Sequence, residues 1–488
     1  MPGDATPAGP QPKELTATQA VNAIAAGRLS AEAYVSTLLD RADKLSHLGA
    51  FITLNRAGAL AAAKAVDERR QAGQPLAPLA GLPIVVKDNI NTIDLPTTGA
   101  TAGLAGFRPN GTAPVLQTLL NAGAIVLGKT NMHELAFGVT NTNFAPFAGV
   151  ARNPYKPSNI PGGSSGGTGV AIAARIAPAG LGTDTGGSVR IPASLNGIAG
   201  LRPSVGNGGS ERRYSGAGVI PLSHTRDTIG PLGRTVADIA LLDAVITGTG
   251  RPAALPLTGL RFGVPSVYWD LVDNEVRALL EDAKAKLTAA GVTFVTTDLP
   301  QLRDLLDRTA FPVVLHEATI DLWAYLAASG STATLQSLAS LASNPEVRSA
   351  FNVMLSNDFG PQYRDAIKVH RPRMRALYDR YFADQGVDAI FFPTVPIPAP
   401  AIDLVRESGR VSVNGGAEVD TFTTIIRYTD LGSTVGLPGL TLPVGLSQGG
   451  LPVGMALDGA AGSDKKLLSI GLSMEALFGT LPAPKLPA

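Results

Sequence analysis

The chain has 488 residues, enough for two or three ordinary domains or one large α/β unit. With 40 Lys and Arg against 39 Asp and Glu and no block of five like charges, the sequence argues against nucleic acid as a main partner. The complete lack of Cys excludes thiol nucleophiles, disulfides, thiolate zinc sites and iron–sulfur clusters, so covalent chemistry must use oxygen or nitrogen. No segment reaches the ~18 uninterrupted apolar residues of a membrane span. Residues 1–13, rich in Pro, Gly and Ala without an apolar h-region, read as a disordered leader and not a signal peptide, which points to a cytoplasmic protein. Helices are expected over 16–26, stopped by Gly27, over 30–44 with Ser30 as cap, and over the alanine-rich 56–72, together a helical entry layer. After Pro83 the texture changes to short apolar runs at 84–86 and 124–127 separated by a helix over 114–122, the punctuation of a mixed sheet covered by helices. From Gly149 to Gly233 the chain is dense in Gly, Ser, Thr and Pro and reads as a long irregular stretch, which inside a compact domain is usually functional. The second half predicts helices at 236–246 and 273–290 and strands at 260–264 and 292–296. Helices then dominate 299–383 as an inserted cap over a pocket, before strands at 389–392, 440–444 and 453–457 and a closing helix at 464–478. No period of 20 to 50 residues marks a repeat.

Two motif matches are weakened by their context. Gly123-Ala-Ile-Val-Leu-Gly128-Lys129-Thr130 fits the phosphate-loop pattern, but Ala, Ile, Val and Leu fill the place of the Gly-rich cradle and look like a strand. Gly162-Gly163-Ser164-Ser165-Gly166 fits the nucleophile elbow of α/β-hydrolases, with His224, His316 and His370 downstream, and keeps a Ser-His-Asp esterase open as an alternative. That elbow must leave a buried strand, whereas residues 153–161 contain three prolines. The five histidines never fall at metal-ligand spacing, which leaves Lys as the remaining base.

The informative constellation is rich in Gly and Ser. Pro161-Gly-Gly-Ser164-Ser165-Gly-Gly-Thr168 is followed by an apolar helix over 170–176 and then by Gly182-Thr-Asp184-Thr185-Gly186-Gly187-Ser188-Val-Arg190-Ile-Pro192. Gly186 and Gly187 let consecutive N–H groups turn toward one spot, an oxyanion hole beside a hydroxyl; the plainer alternative is an ordinary Gly-rich turn. Lys87 ends the apolar run 82–86. A lysine there is usually solvated, but burial beside Ser164 would lower its pKa and leave a neutral base near neutral pH.

Together these segments resemble the amidase signature family of serine hydrolases. The resemblance rests on Pro83-Ile-Val-Val-Lys87-Asp88, on the two Gly-Ser segments, and on Gly197-Ile-Ala-Gly-Leu-Arg202-Pro203 and Asp227-Thr-Ile-Gly-Pro231-Leu-Gly-Arg234 with Val236-Ala-Asp238. Gly436-Leu-Pro438-Gly-Leu-Thr-Leu-Pro443 and Gly450-Leu-Pro452-Val-Gly454 extend it downstream. It implies an α/β fold: one large unit over 14–488, a mixed twisted sheet covered on both faces by helices, with the signature core at 80–240 and a helical cap at about 299–384. It further implies a Ser–cis-Ser–Lys triad with Ser188 as nucleophile, Ser164 as the bridging serine after a cis bond from Gly163, and Lys87 as base. Thr185, Gly186, Gly187 and Ser188 would supply the oxyanion hole, Asp184 and Arg190 would brace it by an ion pair, and no metal or cofactor is called for.

The segment 218–228 is most similar to the mandelamide and indoleacetamide hydrolase branch. That implies a small aryl or arylalkyl amide, with anilides, aryl esters and carbamates within reach, and a urethane-cleaving enzyme or a glutaminase subunit of a tRNA-dependent amidotransferase as alternatives. Candidate pocket walls are 132–140 with Met132 and Gly138, the helices around 311–325, His224, and 426–437 with Ile426, while the Gly-rich 206–218 loop reads as either a lid or a surface turn. The expected partner is a small-molecule amide, ester or carbamate, without nucleic acid or membrane, acted on by a monomer or homodimer.

Overall fold

The computed structural model describes residues 11–487. Of the expected leader, residues 1–10 lie outside that range, while Pro12–Glu14 form a 3-10 turn whose Glu14 pairs with Arg175 at 3.3 Å. The first helices run over Ala17–Ala25, Ala31–Lys44 and Arg56–Gln71, close to the expected spans. Ser30 caps the second by accepting the N–H of Ala33, and Asp67 on the third accepts from the N–H groups of Ala31 and Glu32 and from the Ser30 hydroxyl. A carboxylate there complements the partial positive charge of a helix start, so the two helices are bonded as well as packed.

Among the described residues the strands are β1 (Phe51–Leu54), β2 (Pro83–Lys87), β3 (Ile125–Thr130), β4 (Ala179–Asp184), β5 (Ala199–Arg202), β6 (Thr228–Gly233), β7 (Arg261–Gly263), β8 (Thr293–Val295), β9 (Ala389–Pro393), β10 (Arg410–Ser412), β11 (Glu418–Asp420), β12 (Gly439–Leu446) and β13 (Pro452–Asp458). All but β10 and β11 form one 11-stranded sheet in the order β1-β3-β2-β4-β6-β5-β12-β13-β9-β7-β8. The pairs β2–β3, β2–β4, β7–β8 and β7–β9 are parallel and the other ladders antiparallel, so the sheet is mixed, as expected. Every residue of β2, β3 and β4 is buried, the pattern of strands covered on both faces. Since 125–130 is a buried strand, the phosphate-loop match is a strand as well.

The Gly-rich stretch departs from expectation. It is not irregular: it holds three sheet strands, β4, β5 and β6, and two helices, Gly166–Ala173 and Arg190–Leu195. Its small residues are there because neighbouring backbones press close. A Cβ on Gly230 of β6 would stand 2.3 Å from the carbonyl oxygen of Leu201 in β5, a distance no side chain tolerates. The helix placed at 170–176 begins at Gly166, directly after the Gly-Ser segment. β1 was also unforeseen, since its four residues are only partly buried.

Apolar packing forms two large clusters along the sheet, one around Ile84, Val85, Val86, Val170 and Ile172, the other around Phe262, Phe391, Phe392, Leu440 and Met455. Helices Leu302–Asp307, Ala310–Ala328, Leu335–Leu341, Pro345–Ser356, Gly360–Asp365 and Arg371–Gln385 occupy the stretch read as helical. A further cluster containing Leu322, Leu338, Val347 and Phe351 ties three of them together. No helix among the described residues is long and apolar enough to cross a membrane.

Candidate active site

Lys87 is the last residue of β2 and is fully buried. Parallel pairing of β2 with β4 brings Thr183 alongside, and the Lys87 Nζ lies 2.7 Å from both the Thr183 Oγ1 and the Ser164 Oγ. Asn89 Nδ2, which can only donate, reaches the same Thr183 oxygen at 3.0 Å. Burial lowers the Lys87 pKa to about 7, against the smaller opposing pull of Asp184 and Asp227. A substantial share of this amine is therefore uncharged at neutral pH, with a lone pair to offer a hydroxyl.

Ser164 follows a cis peptide bond from Gly163. Its carbonyl accepts the N–H of His133 at 3.0 Å. The next residue stitches this loop to the second serine, since the Ser165 N–H donates to the carbonyl of Ser188 at 3.2 Å and its hydroxyl to the carbonyl of Thr183 at 3.2 Å. Asn141 Oδ1 then accepts the N–H of Gly166 and fixes the start of the following helix.

Ser188 sits in the turn that leads from β4 into the Arg190–Leu195 helix. Gly187 has φ of 145°, and a Cβ there would lie 2.3 Å from the Thr429 Oγ1, so the position accepts only glycine. Thr429 also donates to the carbonyl of Gly186 at 2.7 Å, which ties that peptide to the start of the Thr429–Thr434 helix. Among the described residues the N–H groups of Gly186, Gly187 and Ser188 donate to no protein acceptor. Unspent N–H groups beside a hydroxyl are what an oxyanion requires.

The turn is braced by buried charge. Asp184 bonds Arg190 at 3.1 and 3.2 Å and Arg202 at 3.1 Å, and it accepts the N–H of Val189. Arg190 continues to Asp458 at the end of β13, at 3.3 Å, and to Ser433. Burial alone would raise the Asp184 pKa, but Arg190 and Arg202 outweigh it and hold the carboxyl well below its usual range. Asp184 and Arg190 are thus the buried pair expected from sequence, with Arg202 and Asp458 as further members.

A cavity of about 400 Å³ opens over Ser188, Gly186 and Thr185. Its walls are mostly apolar: Phe137, Gly138, Leu222, Phe311, Val314, Val353, Phe422 and Ile426. Arg226 and Asp430, joined to each other, together with Glu346 and Asp420 are its ionisable groups. Gly138 and Ile426 therefore line the cavity as expected, as do Phe311 and its neighbours on Ala310–Ala328.

Two other expected wall residues are corrected. Met132 is fully buried in a cluster with Ala100, Ala136 and Leu222, behind the lining. His224 has an exposed side chain, bonds Asp321 at 3.0 Å, and borders a second cavity with Arg212 and Asp227. The 206–218 loop borders that second cavity too and is anchored: Arg213 bonds Asp243 at 2.8 and 2.7 Å, and the buried Tyr214 hydroxyl donates to the same carboxylate. These contacts favour the surface-turn reading of the loop over the lid. His316 stacks on Tyr363 with ring centroids 4.2 Å apart and its Nδ1 on Asn357.

Sequence reasoning did not single out Thr183, Asn89, His133 or Glu346. Thr183 lay inside a quoted motif, but its role depends on pairing between β2 and β4. His133 is fully buried, and its pKa is pushed down to about 3 by burial and by Lys87, so it stays neutral. Glu346 lies in a helical stretch with no motif.

A near-neutral buried amine on one serine, a second serine tied to the first by the backbone, and free N–H groups under an apolar cavity form a site suited to acyl transfer. The chain is a hydrolase acting on amides. The Amidase family model matches residues 33–468, and the chain belongs to that family. It is 39% identical over 487 residues to mandelamide hydrolase of Pseudomonas putida, covering 96% of this chain and 93% of that protein. To an indoleacetamide hydrolase of Agrobacterium vitis it is 40% identical over 447 residues, covering 90% and 92%. A solved amidase superposes with TM-score 0.83 at 32% identity, over 95% of this chain and 100% of the other. The native peptide amidase of Stenotrophomonas maltophilia gives 0.79 at 28% identity, over 97% and 99%.

Proposed function

We propose that this amidase hydrolyses small aryl or arylalkyl amides through an acyl-enzyme on Ser188, with Ser164 as proton relay and Lys87 as base. The observation that carries the reading is the buried Lys87 amine, held near neutrality 2.7 Å from the Ser164 hydroxyl. As the Ser188 oxygen attacks the amide carbonyl, its proton passes to Ser164, whose own proton passes to Lys87. The carbonyl oxygen becomes an oxyanion held by the N–H groups of the 185–188 turn, each key donor contributing ~3–4 kcal/mol to the transition state. Lys87 then returns the proton through Ser164 to the leaving nitrogen, and the C–N bond breaks. Water attacks the Ser188 ester by the same relay, releasing the acid and restoring both serines. Asp184, Arg190 and Arg202 do no proton transfer; they hold the turn in shape.

The apolar walls and the relatives named for arylalkyl amides support the substrate class. One oxyanion hole serves any acyl carbon, so anilides, aryl esters and carbamates belong to the same reading, including a urethane as the main substrate. A cavity of about 400 Å³ is of the size that takes a small molecule. A glutaminase would need a free cation for the α-carboxylate, and Arg226, the cavity's cation, is already bound to Asp430. A Ser-His-Asp esterase would need a histidine at Ser164, whereas His224 is exposed and borders another cavity. Lys87→Ala is expected to abolish turnover of an aryl acylanilide while His224→Ala retains it. The reverse pattern would discard the lysine relay.

A further inference from the structure

The cavity over Ser188 holds one carboxyl group without a partner. Glu346 lies in the first turn of Pro345–Ser356, and its side chain is 35% exposed. Among the described residues nothing donates a hydrogen bond to that carboxyl; the nearest basic atom is His133 Nε2 at 3.9 Å, on a ring that stays neutral. Nor is Glu346 spent on its own helix start. Glu134 accepts the N–H groups of Ser343 and Asn344 there at 3.0 and 2.9 Å, and Glu407 accepts the N–H of Glu346 at 3.1 Å.

The other ionisable groups of the cavity are committed. Arg226 and Asp430 neutralise each other, and Asp420 accepts the N–H and hydroxyl of Thr423, both at 2.7 Å. With Arg226 and Asp430 cancelling, Asp420 leaves the cavity a negative bias, to which Glu346 adds whenever it ionises. Burial, with Glu407 and Asp420 adding to it, pushes the Glu346 carboxyl up to about 8, so it is largely protonated at neutral pH and ionises when a cation enters beside it.

We propose that Glu346 is a specificity-determining residue that favours substrates bearing an amine or another N–H donor on the group lodged in the cavity and disfavours those bearing a carboxylate. A donor that reaches Glu346 forms a charge-assisted hydrogen bond within apolar walls, where it is stronger than in water. A carboxylate cannot draw Glu346 into its charged form and meets the charge of Asp420 with no free cation to offset it. This inference rests on the proposed reaction only in taking the cavity over Ser188 as the substrate site.

The test uses three 4-nitroanilides of one shape, the phenylacetyl ring carrying methyl, aminomethyl or carboxylate at its far end. The wild type is expected to show a KM for the aminomethyl substrate about tenfold below that of the methyl one, and the highest KM for the carboxylate. In Glu346→Gln the aminomethyl-to-methyl KM ratio should return to about one, with kcat moving little between the two substrates. A ratio unchanged by the substitution overturns the inference. If Glu346→Gln does not fold, Glu346→Met, which suits the apolar wall, reads the same ratio. Calorimetry of 4-methylbenzylamine on Ser188→Ala protein, with and without Glu346→Gln, separates this inference from the reaction. Glu346-dependent binding without wild-type turnover sinks the reaction and keeps the specificity, and turnover without Glu346-dependent binding does the opposite.

Discussion

Among single residues, Lys87 and its protonation govern the proposed reaction. Burial brings its pKa from the ordinary lysine value of 10.5 down to about 7, so an amine acting as the proposed base is free above that pH and blocked below it. The expected profile of kcat/KM therefore rises with pH through about 7 and stays level above. Lys87→Met should remove that limb along with about 10³-fold of the rate. A rising limb that persists in the variant would assign it to another group. Much of this was legible, because a lysine at the end of an apolar run and two serines in Gly-rich segments are visible in the chain. Thr183 and Asn89 were not, because their effect on Lys87 depends on strand pairing. His224 was misplaced for the same reason: a histidine inside a suggestive motif says nothing of which cavity it faces.

At the scale of elements, the segment from β4 through Ser188 to the Arg190–Leu195 helix is held by one carboxylate. Asp184 joins the two ends of the turn and pairs with two buried guanidinium groups. Breaking a buried pair from one side leaves charge uncompensated, at a cost of about 3–5 kcal/mol. Asp184→Asn should lower the stability measured by urea unfolding by that order, and turnover with it, although the residue touches no substrate. A loss under about 1 kcal/mol would show the brace to be dispensable. The helices and apolar strands were legible because periodicity marks them. The strands of the Gly-rich stretch were not: β4, β5 and β6 owe their place to small residues that let backbones approach, and such residues carry no period-2 pattern.

Across the whole molecule, the sheet joins the two halves of the sequence. β5 pairs with β12, and this brings Asp458 of β13 and the Thr429–Thr434 helix to the turn that carries Ser188. Residues more than two hundred positions away thus shape the site, a relation set by topology that local sequence does not record. The cavity likewise combines walls from 136–139, from the helical stretch after 310 and from 422–430. Whether Ser188 is the proposed nucleophile on this framework is read from the intact mass of the protein after reaction with a fluorophosphonate, followed by peptide mapping. One adduct is expected, on Ser188, and absent from Ser188→Ala; an adduct on Ser164 that survives that substitution would move the nucleophile to Ser164.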